Sequence, residues 1–390
     1  MNTGLNHQMA KELIENHFFQ LEKEFAHSQE RKDKGWNIYR VRPRIIKSIY
    51  GQLTLKRYLF IDKQRNFHHF DNPFYQITKH KNIDNELKNK VFSMKMQGNS
   101  NHQILKDLSY KTISKASIAN IIKEQKLNDK INFERVQNTT KTLYIEADDT
   151  YVNLKLDKHN TQKTRARMIV LHQGLDENKR ILNKTTLIEL AKTNSKSKTI
   201  SKQFIDNIKD KIEQFYGSDY EQIVVYGDGA HFIKSLAKAL NAKYILDKFH
   251  LLRKLFILCG FNKYNTENKR LFIDYLVQNN TTLFAKIRDL LLNNQAQEAL
   301  FLLENEFENR WNSLSKLKQN QYMDFIKYIK NNRQFIIHYN RDYNIGSHTE
   351  SLICHQIKKN GTKKFTTYGI ETFKKILIFN LNERENLLFI

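Results

Sequence analysis

The 390-residue chain is poor in residues that punctuate or staple structure, with 2 Pro, 12 Gly and 2 Cys. So few prolines and glycines exclude long disordered linkers and predict a well-structured, helix-rich protein. Two cysteines, Cys259 and Cys354, cannot build a disulfide framework and indicate a reducing compartment. No apolar run approaches the ~18 residues that a bilayer span needs, so no membrane partner is expected. The first residues lack the charged-then-apolar layout of a signal peptide. No GxxxxGK[ST] loop occurs, which argues against an ATP-driven enzyme. Cys259, Cys354, His250, His348 and His355 show neither Cys-x-x-Cys nor His-x3–5-His spacing, so a zinc site is poorly supported.

Acid is also scarce relative to base. Lys plus Arg number 65 against 41 Asp plus Glu, a net charge of +24, and the isoelectric point is near 9.7. An AT-rich coding sequence would raise Lys, Asn and Ile, but it does not easily explain so large a surplus over acid. The charge suits a polyanion bound through its phosphates. The expected partner is double-stranded DNA and the expected location the cytoplasm, in association with the nucleoid.

Hydrophobic patterning divides the chain. Residues 1–80 read as an N-terminal α+β region: a helix over 8–28, then a hairpin over 44–60 turning near Gly51. Residues 81–140 read as a helical, helix-turn-helix-like DNA-binding domain. Its second short helix starts at Ser114 and exposes Lys115, Ser117, Asn120 and Lys123. An ordinary pair of packed helices would give the same pattern. Residues 141–250 show three strand signals and then helix, strand, helix, strand, the ribonuclease-H-like order of a mixed α/β sheet. Residues 251–340 read as an all-helical insertion that interrupts this core, and 341–390 complete it with a helix bearing Glu350 and a tail.

Three carboxylates stand out. Asp148 lies in the strand signal Leu143–Leu156, Asp228 ends the apolar run Ile223-Val-Val-Tyr-Gly-Asp, and Glu350 opens a later helix. Two strand-held aspartates and a distant helical glutamate suggest a site for two Mg2+ (or Mn2+) ions, and such sites cut and rejoin phosphodiesters. Plainer readings exist for each. Asp228-Gly229 is a good turn dipeptide, and Ser347-His-Thr-Glu350 is a capping box. Glu146 or Asp149 are alternative first ligands, although Asp149 faces the other way if the strand continues. Asp247 and His250 follow the fifth strand. His250 either contacts DNA, orients a carboxylate, or simply starts the next helix as a partly buried polar residue.

Together these segments resemble a known family. Ile145-Glu-Ala-Asp148 with Tyr151-Val, Tyr226-Gly-Asp-Gly-Ala230 with Ile233-Lys, Leu246-Asp-Lys-Phe-His-Leu251 and Ser347-His-Thr-Glu-Ser-Leu352 are similar to bacterial insertion-sequence transposases of the ISLre type. That group has long been grouped as an uncharacterised transposase-like family allied to the Mutator-like superfamily. Arg44-Ile-Ile-Lys-Ser-Ile-Tyr-Gly51 with Arg57-Tyr58 is similar to its leading segment. The resemblance covers roughly residues 35–370.

What the resemblance implies is a DDE transposase with a ribonuclease-H-like core, in which Asp148, Asp228 and Glu350 fall on the catalytic, metal-binding positions. Asp247 and His250 match a motif beside the active site, with Asp149 as a further neighbour. The implied substrates are the element's terminal inverted repeats and target DNA, handled by a homo-oligomer. Two departures qualify this. Asp149 stands where Gly or Glu is often seen, and Glu383-Arg-Glu-Asn-Leu-Leu-Phe-Ile390 reads as a truncated or frameshifted tail. The alternatives are a catalytically decayed copy that only binds DNA, and a ribonuclease-H-like nuclease.

Overall fold

A computed structural model describes residues 3–75, 81–108, 113–125, 140–157, 160–192, 201–218, 220–259, 276–277, 281–309, 311–348, 350–351, 357, 368–382 and 386–389. They form two compact units, Met1–Leu127 and Asn128–Ile390. The expected division at residue 80 therefore falls inside one unit.

In the first unit α1 (Thr3–His27) and α2 (Gln29–Asp33) precede a hairpin of β1 (Asn37–Ser48) and β2 (Gly51–Ile61), with the short β3 (Phe67–His68) on the far edge of β2. The turn falls at Gly51, where φ is +103°. Phe18 of α1 packs with Ile46, Leu53 and Leu55, while Phe25 and Ala26 pack with Phe60. Two carboxylates of α1 accept β2 amides: Glu15 from Thr54 at 2.6 Å and Glu22 from Tyr58 at 2.9 Å. They satisfy donors that β1 does not reach.

Three helices follow: α3 (Asn85–Met96), α4 (Asn101–Asp107) and α5 (Lys115–Glu124). Each starts at a side chain that accepts a first-turn amide, respectively Asp84, Ser100 and Ser114, as N-caps do. Leu87, Val91, Met96, Ile104, Ile118 and Ile121 are buried among the three helices. The amide of Lys47 in β1 donates to Asn82 O at 2.8 Å, and the Asp84 amide donates to Lys47 O at 2.9 Å. These bonds tie the hairpin to the start of α3.

The second unit is a mixed α/β fold on a six-stranded sheet. Its strands are β4 (Thr142–Lys155), β5 (Thr161–His172), β6 (Thr185–Lys192), β7 (Gln222–Gly227), β8 (Lys243–Leu246) and β11 (Asn386–Phe389), in the spatial order β11-β6-β5-β4-β7-β8. The pairs β4–β5 and β5–β6 are antiparallel; β4–β7, β7–β8 and β6–β11 are parallel. Thr142–Glu146 lies beside Gln222–Tyr226, so the strand that carries Asp148 and the strand that leads to Asp228 are neighbours.

Alternation along β4 sends successive side chains to opposite faces. Leu143, Ile145 and Ala147 join α6 (Lys202–Tyr216) and α7 (His231–Ala239) in one core. On the other face Tyr144, with Val224 and Tyr226 of β7, packs with α8 (Lys248–Leu258), α9 (Leu283–Leu292), α10 (Ala296–Glu308) and α11 (Lys316–Ile336). Buried Lys318 of α11 donates to Ile257 O and Leu258 O, both at 2.8 Å. It thereby satisfies carbonyls left over at the end of α8.

Among its described residues the insertion departs from an all-helical reading in one place. Leu276–Val277 (β9) and Thr281–Thr282 (β10) form a two-stranded antiparallel ladder. The tail is a second difference, because after α12 (Ile370–Asn382) the segment Asn386–Phe389 adds a parallel strand beside β6. Among the described residues no helix is long and apolar enough to cross a membrane.

Candidate active site

Three neighbouring strands of the second unit run parallel; β7 and β8 end at the same level, while β4 continues to Lys155. Glu146 of β4 lies opposite Tyr226 of β7, and Gly227 opposite Leu246 of β8. Two residues past the first pair come Asp148 and Asp228. One residue past the second come Asp228 and Asp247. Three aspartates thus stand in a row across the C-terminal ends of β7 and β8 and the matching level of β4. That edge of an open sheet is where strands hand over to loops and functional groups collect.

Each aspartate is fixed by its surroundings. Asp148 is only 8% exposed, and its Oδ1 accepts the Asp149 amide at 2.7 Å. Asp228 accepts the Ala230 amide at 2.9 Å, while its carbonyl accepts the Tyr328 hydroxyl from α11 at 2.8 Å. The turn behind it is held by Tyr244, whose hydroxyl accepts the Gly229 amide at 2.8 Å and donates to Gly227 O at 3.0 Å. Gly229 has φ +95°, and a Cβ there would lie 3.0 Å from Asn332 Oδ1. Asp247 caps α8 by accepting the Phe249 amide at 3.1 Å, and its other oxygen lies 2.5 Å from His250 Nδ1.

Glu350 arrives from far along the chain, and Glu146 fixes the segment that delivers it. Glu146 is fully buried, on the same face of β4 as Asp148. Its oxygens accept the Ser347 hydroxyl and the His348 amide, both at 2.9 Å. His172 Nε2 lies 3.7 Å and His348 Nδ1 3.5 Å from the same carboxylate. Just upstream the Tyr226 hydroxyl accepts the Ile345 amide at 3.0 Å and donates to Asn344 Oδ1 at 3.0 Å.

Ligand atoms of Asp148, His250 and Glu350 converge to within 4.8 Å of one another. Burial, then the charge of Asp228, pushes the Asp148 carboxyl up to about 7. Burial alone would lower the His250 pKa; the Asp247 hydrogen bond and charge, with Asp148 and Asp228, outweigh it and hold His250 above its usual value. With Nδ1 engaged by Asp247, Nε2 is the imidazole nitrogen left for the cluster. An imidazole backed by a carboxylate and turned toward two more is the arrangement that orients a metal-binding histidine.

The cluster differs from the expected triad in one member. His250 joins Asp148 and Glu350, whereas Asp228 stands beside them and acts on Asp148 through its charge. The physical reason is local: Asp228 Oδ1 turns back to the Ala230 amide. Asp149 faces the opposite side of the sheet. Its carboxylate meets Arg167 Nε at 3.0 Å and Nη2 at 3.3 Å, and that guanidinium lies over the ring of Phe232. Asp247 reaches the cluster only through His250.

In the first unit Lys115, Asn120 and Lys123 of α5 are exposed. Ser117 is half-buried and occupied locally, with its hydroxyl 3.0 Å from Ser114 Oγ. Asn120 also borders a pocket of about 340 Å³ formed with Lys81, Asn82 and Lys88. Thr349, Cys354 and His355 lie outside the described residues. The anchoring roles of Tyr244, Tyr328 and Asn344 have no signature in the sequence, because each acts through a partner distant in the chain. Only Glu146 carried a signal, as an acid two positions before Asp148 in an otherwise apolar strand.

The family model of an Uncharacterised protein family (UPF0236) matches residues 4–367, and the chain belongs to that family. No curated protein matches the chain.

Proposed function

We propose that this chain is a DDE transposase with a ribonuclease-H-like core, which cleaves DNA at insertion-sequence ends and joins the freed 3′ ends to target DNA. The observation that carries this reading is the convergence of Asp148, His250 and Glu350 within 4.8 Å on the strand ends that also hold Asp228. The antiparallel β6-β5-β4 run, continued by parallel β7 and β8, supports the ribonuclease-H-like assignment. Net charge +24 supports a nucleic-acid substrate.

The donor set fits divalent cations. Asp148, Asp228 and Glu350 offer the oxygens that Mg2+ and Mn2+ prefer, and the His250 nitrogen is better suited to Mn2+. Burial, then the neighbouring Asp228 carboxylate, drives the Asp148 carboxyl up to about 7, a penalty on its charged form that a bound cation would relieve. Two such ions, when bound, supply charge stabilisation for the attacking and leaving oxygens of a phosphodiester. The protein's own part is rigidity and proton placement. Sheet register sets Asp148 and Asp228, Glu146 sets the approach of Glu350, and Asp247 fixes the His250 tautomer by holding Nδ1. In the first unit the three packed helices α3–α5 support a helix-turn-helix reading, in which Lys115, Asn120 and Lys123 face duplex DNA, such as the terminal inverted repeats. A homo-oligomer follows from the need to hold two element ends together.

The test is nicking of a supercoiled plasmid carrying the gene with its flanking DNA, in Mg2+ or Mn2+, by the wild type and by Asp148→Asn. Metal-dependent nicking that Asp148→Asn abolishes, with gel-shift binding retained, is expected. Binding without nicking by the wild type would favour a decayed DNA-binding copy. Preferential cleavage of RNA–DNA hybrid would favour a nuclease.

A further inference from the structure

A second feature of the first unit has no part in the carboxylate site. The hairpin from Asn37 to Ile61 contains Arg40, Arg42, Arg44, Lys47, Lys56 and Arg57 and no acidic residue. Register places Arg40, Arg42 and Arg44 opposite Leu59, Arg57 and Leu55, so the three arginines share one face of β1. At about 3.4 Å per residue they repeat roughly every 6.8 Å, the order of the separation between successive phosphates on one nucleic-acid strand. Arg40 and Arg42 are exposed, and Arg44 is half-buried.

Arg40 and Arg42 are exposed on a hairpin that carries no acid of its own. The acids of α1 nearest the sheet are already committed, Glu15 to the Thr54 amide and Glu22 to the Tyr58 amide. Arg42 lies directly opposite Arg57, a like-charge pairing that costs stability in a sheet. Burial disfavours the charge on Arg57, Glu22 and Asp71 offset part of that, and Arg44 adds repulsion. Such a row is stabilised by an external anion.

The edge of β1 offers another strand only an interrupted ladder. The Thr54 and Tyr58 amides point away from β1, so their partners Ile45 and Val41 point theirs outward in the alternating antiparallel pattern. Pro43, between them on that edge, has no amide to offer, and the Lys47 amide is taken by Asn82 O. Exposed Tyr39 (52%) and Phe67 (57%) sit together at the open end of the hairpin, with the Arg40 guanidinium 5.3 Å from the Tyr39 ring.

We propose that this arginine face of β1 binds the phosphate backbone of duplex DNA as a sequence-independent surface, separate from α3–α5. The inference rests on the DNA reading above but not on the carboxylate site. Arg40 and Arg42 make phosphate contacts there. Arg44 is a poorer probe, because its Nη2 also donates to Lys81 O at 2.7 Å.

The experiment measures binding of the full chain to a random-sequence duplex in EDTA over a salt series, for wild type, R40A/R42A, R40K/R42K and a charge-matched control, K209A/K238A, on exposed positions of α6 and α7. Each phosphate contact contributes about 0.9 to the slope of log K against log salt. The alanine pair is therefore expected to lower the slope by about 1.8. The lysine pair should keep it, the control should change it little, and all four should melt alike. An unchanged slope in R40A/R42A, or an equal drop in the control, would overturn the surface while leaving DNA binding intact. Failure of the wild type to bind duplex DNA would overturn both readings.

Discussion

Glu146 and Ser347 are 201 positions apart, yet the Ser347 hydroxyl donates to the Glu146 carboxylate at 2.9 Å. The bond crosses from the central strand of the sheet to the segment that carries Glu350, and it passes over the whole helical insertion. It places the last acidic residue of the cluster by means of a carboxylate that is not itself in the cluster.

Glu146→Ala should therefore weaken both the fold and the site. It leaves the Ser347 hydroxyl and the His348 amide without their buried acceptor, a loss of about 1.5–3 kcal/mol for a hydrogen bond to a charged group. Calorimetric titration with Mn2+ should show an affinity lower by about 10–100-fold, the usual effect of removing a group that orients a ligand. Glu146→Gln, which keeps one acceptor, should recover much of the melting temperature. Wild-type Mn2+ affinity in a well-folded Glu146→Ala protein would mean that Glu350 is placed without it.

Asp228→Asn should abolish metal-dependent strand cleavage and leave gel-shift affinity nearly unchanged. The substitution is close to isosteric and removes one negative charge beside Asp148, whereas phosphate contacts elsewhere are untouched. Cleavage at the wild-type rate would remove Asp228 from the chemistry and make Asp247 the next residue to test.

The pH dependence has a definite sign in the metal-free protein. The Asp148 carboxyl titrates near 7 in the fold against an ordinary value of 3.8. Between those values the native state holds a proton that the unfolded chain has released, so stability falls as pH rises, by up to about 1.4 kcal/mol per unit. His250, whose pKa is also raised, contributes stability at low pH that is likewise lost as pH rises through its folded value. In EDTA, Asp148→Asn should melt above the wild type at pH 8 and close to it at pH 4. A melting difference that does not change between those pH values would contradict the buried, raised carboxyl.

Gly229→Ala should destabilise the second unit by about 1–3 kcal/mol, the range for a non-glycine residue forced into a sparsely populated backbone region. The φ of +95° and the Asn332 Oδ1 atom 3.0 Å from the added methyl leave little room for relief. Urea denaturation measures the loss. Co-substitution of Asn332 with Ala should return only the steric share, since the backbone strain remains.

Much of the molecule was legible because it rests on local physics. Period-2 alternation marks β4 and sets Asp148 and Asp149 on opposite faces. Ser114 is an N-cap, as the short helix after it required. Apolar runs and helical stripes placed β4 to β8 and α6 to α8 in order, because burying one face imposes that periodicity.

Tertiary structure decided what depends on partners far apart in sequence. A four-residue apolar tail such as Asn386–Phe389 becomes a strand only because β6 has an open edge beside it. His250 enters the carboxylate cluster because parallel register puts Asp247 level with Asp228, and α8 then turns the imidazole inward. Asp228 bends to its own turn amide, a choice that spacing does not reveal. Strand periodicity determined which faces these residues occupy; the register between strands and the bond from Glu146 to Ser347 determined which of them meet.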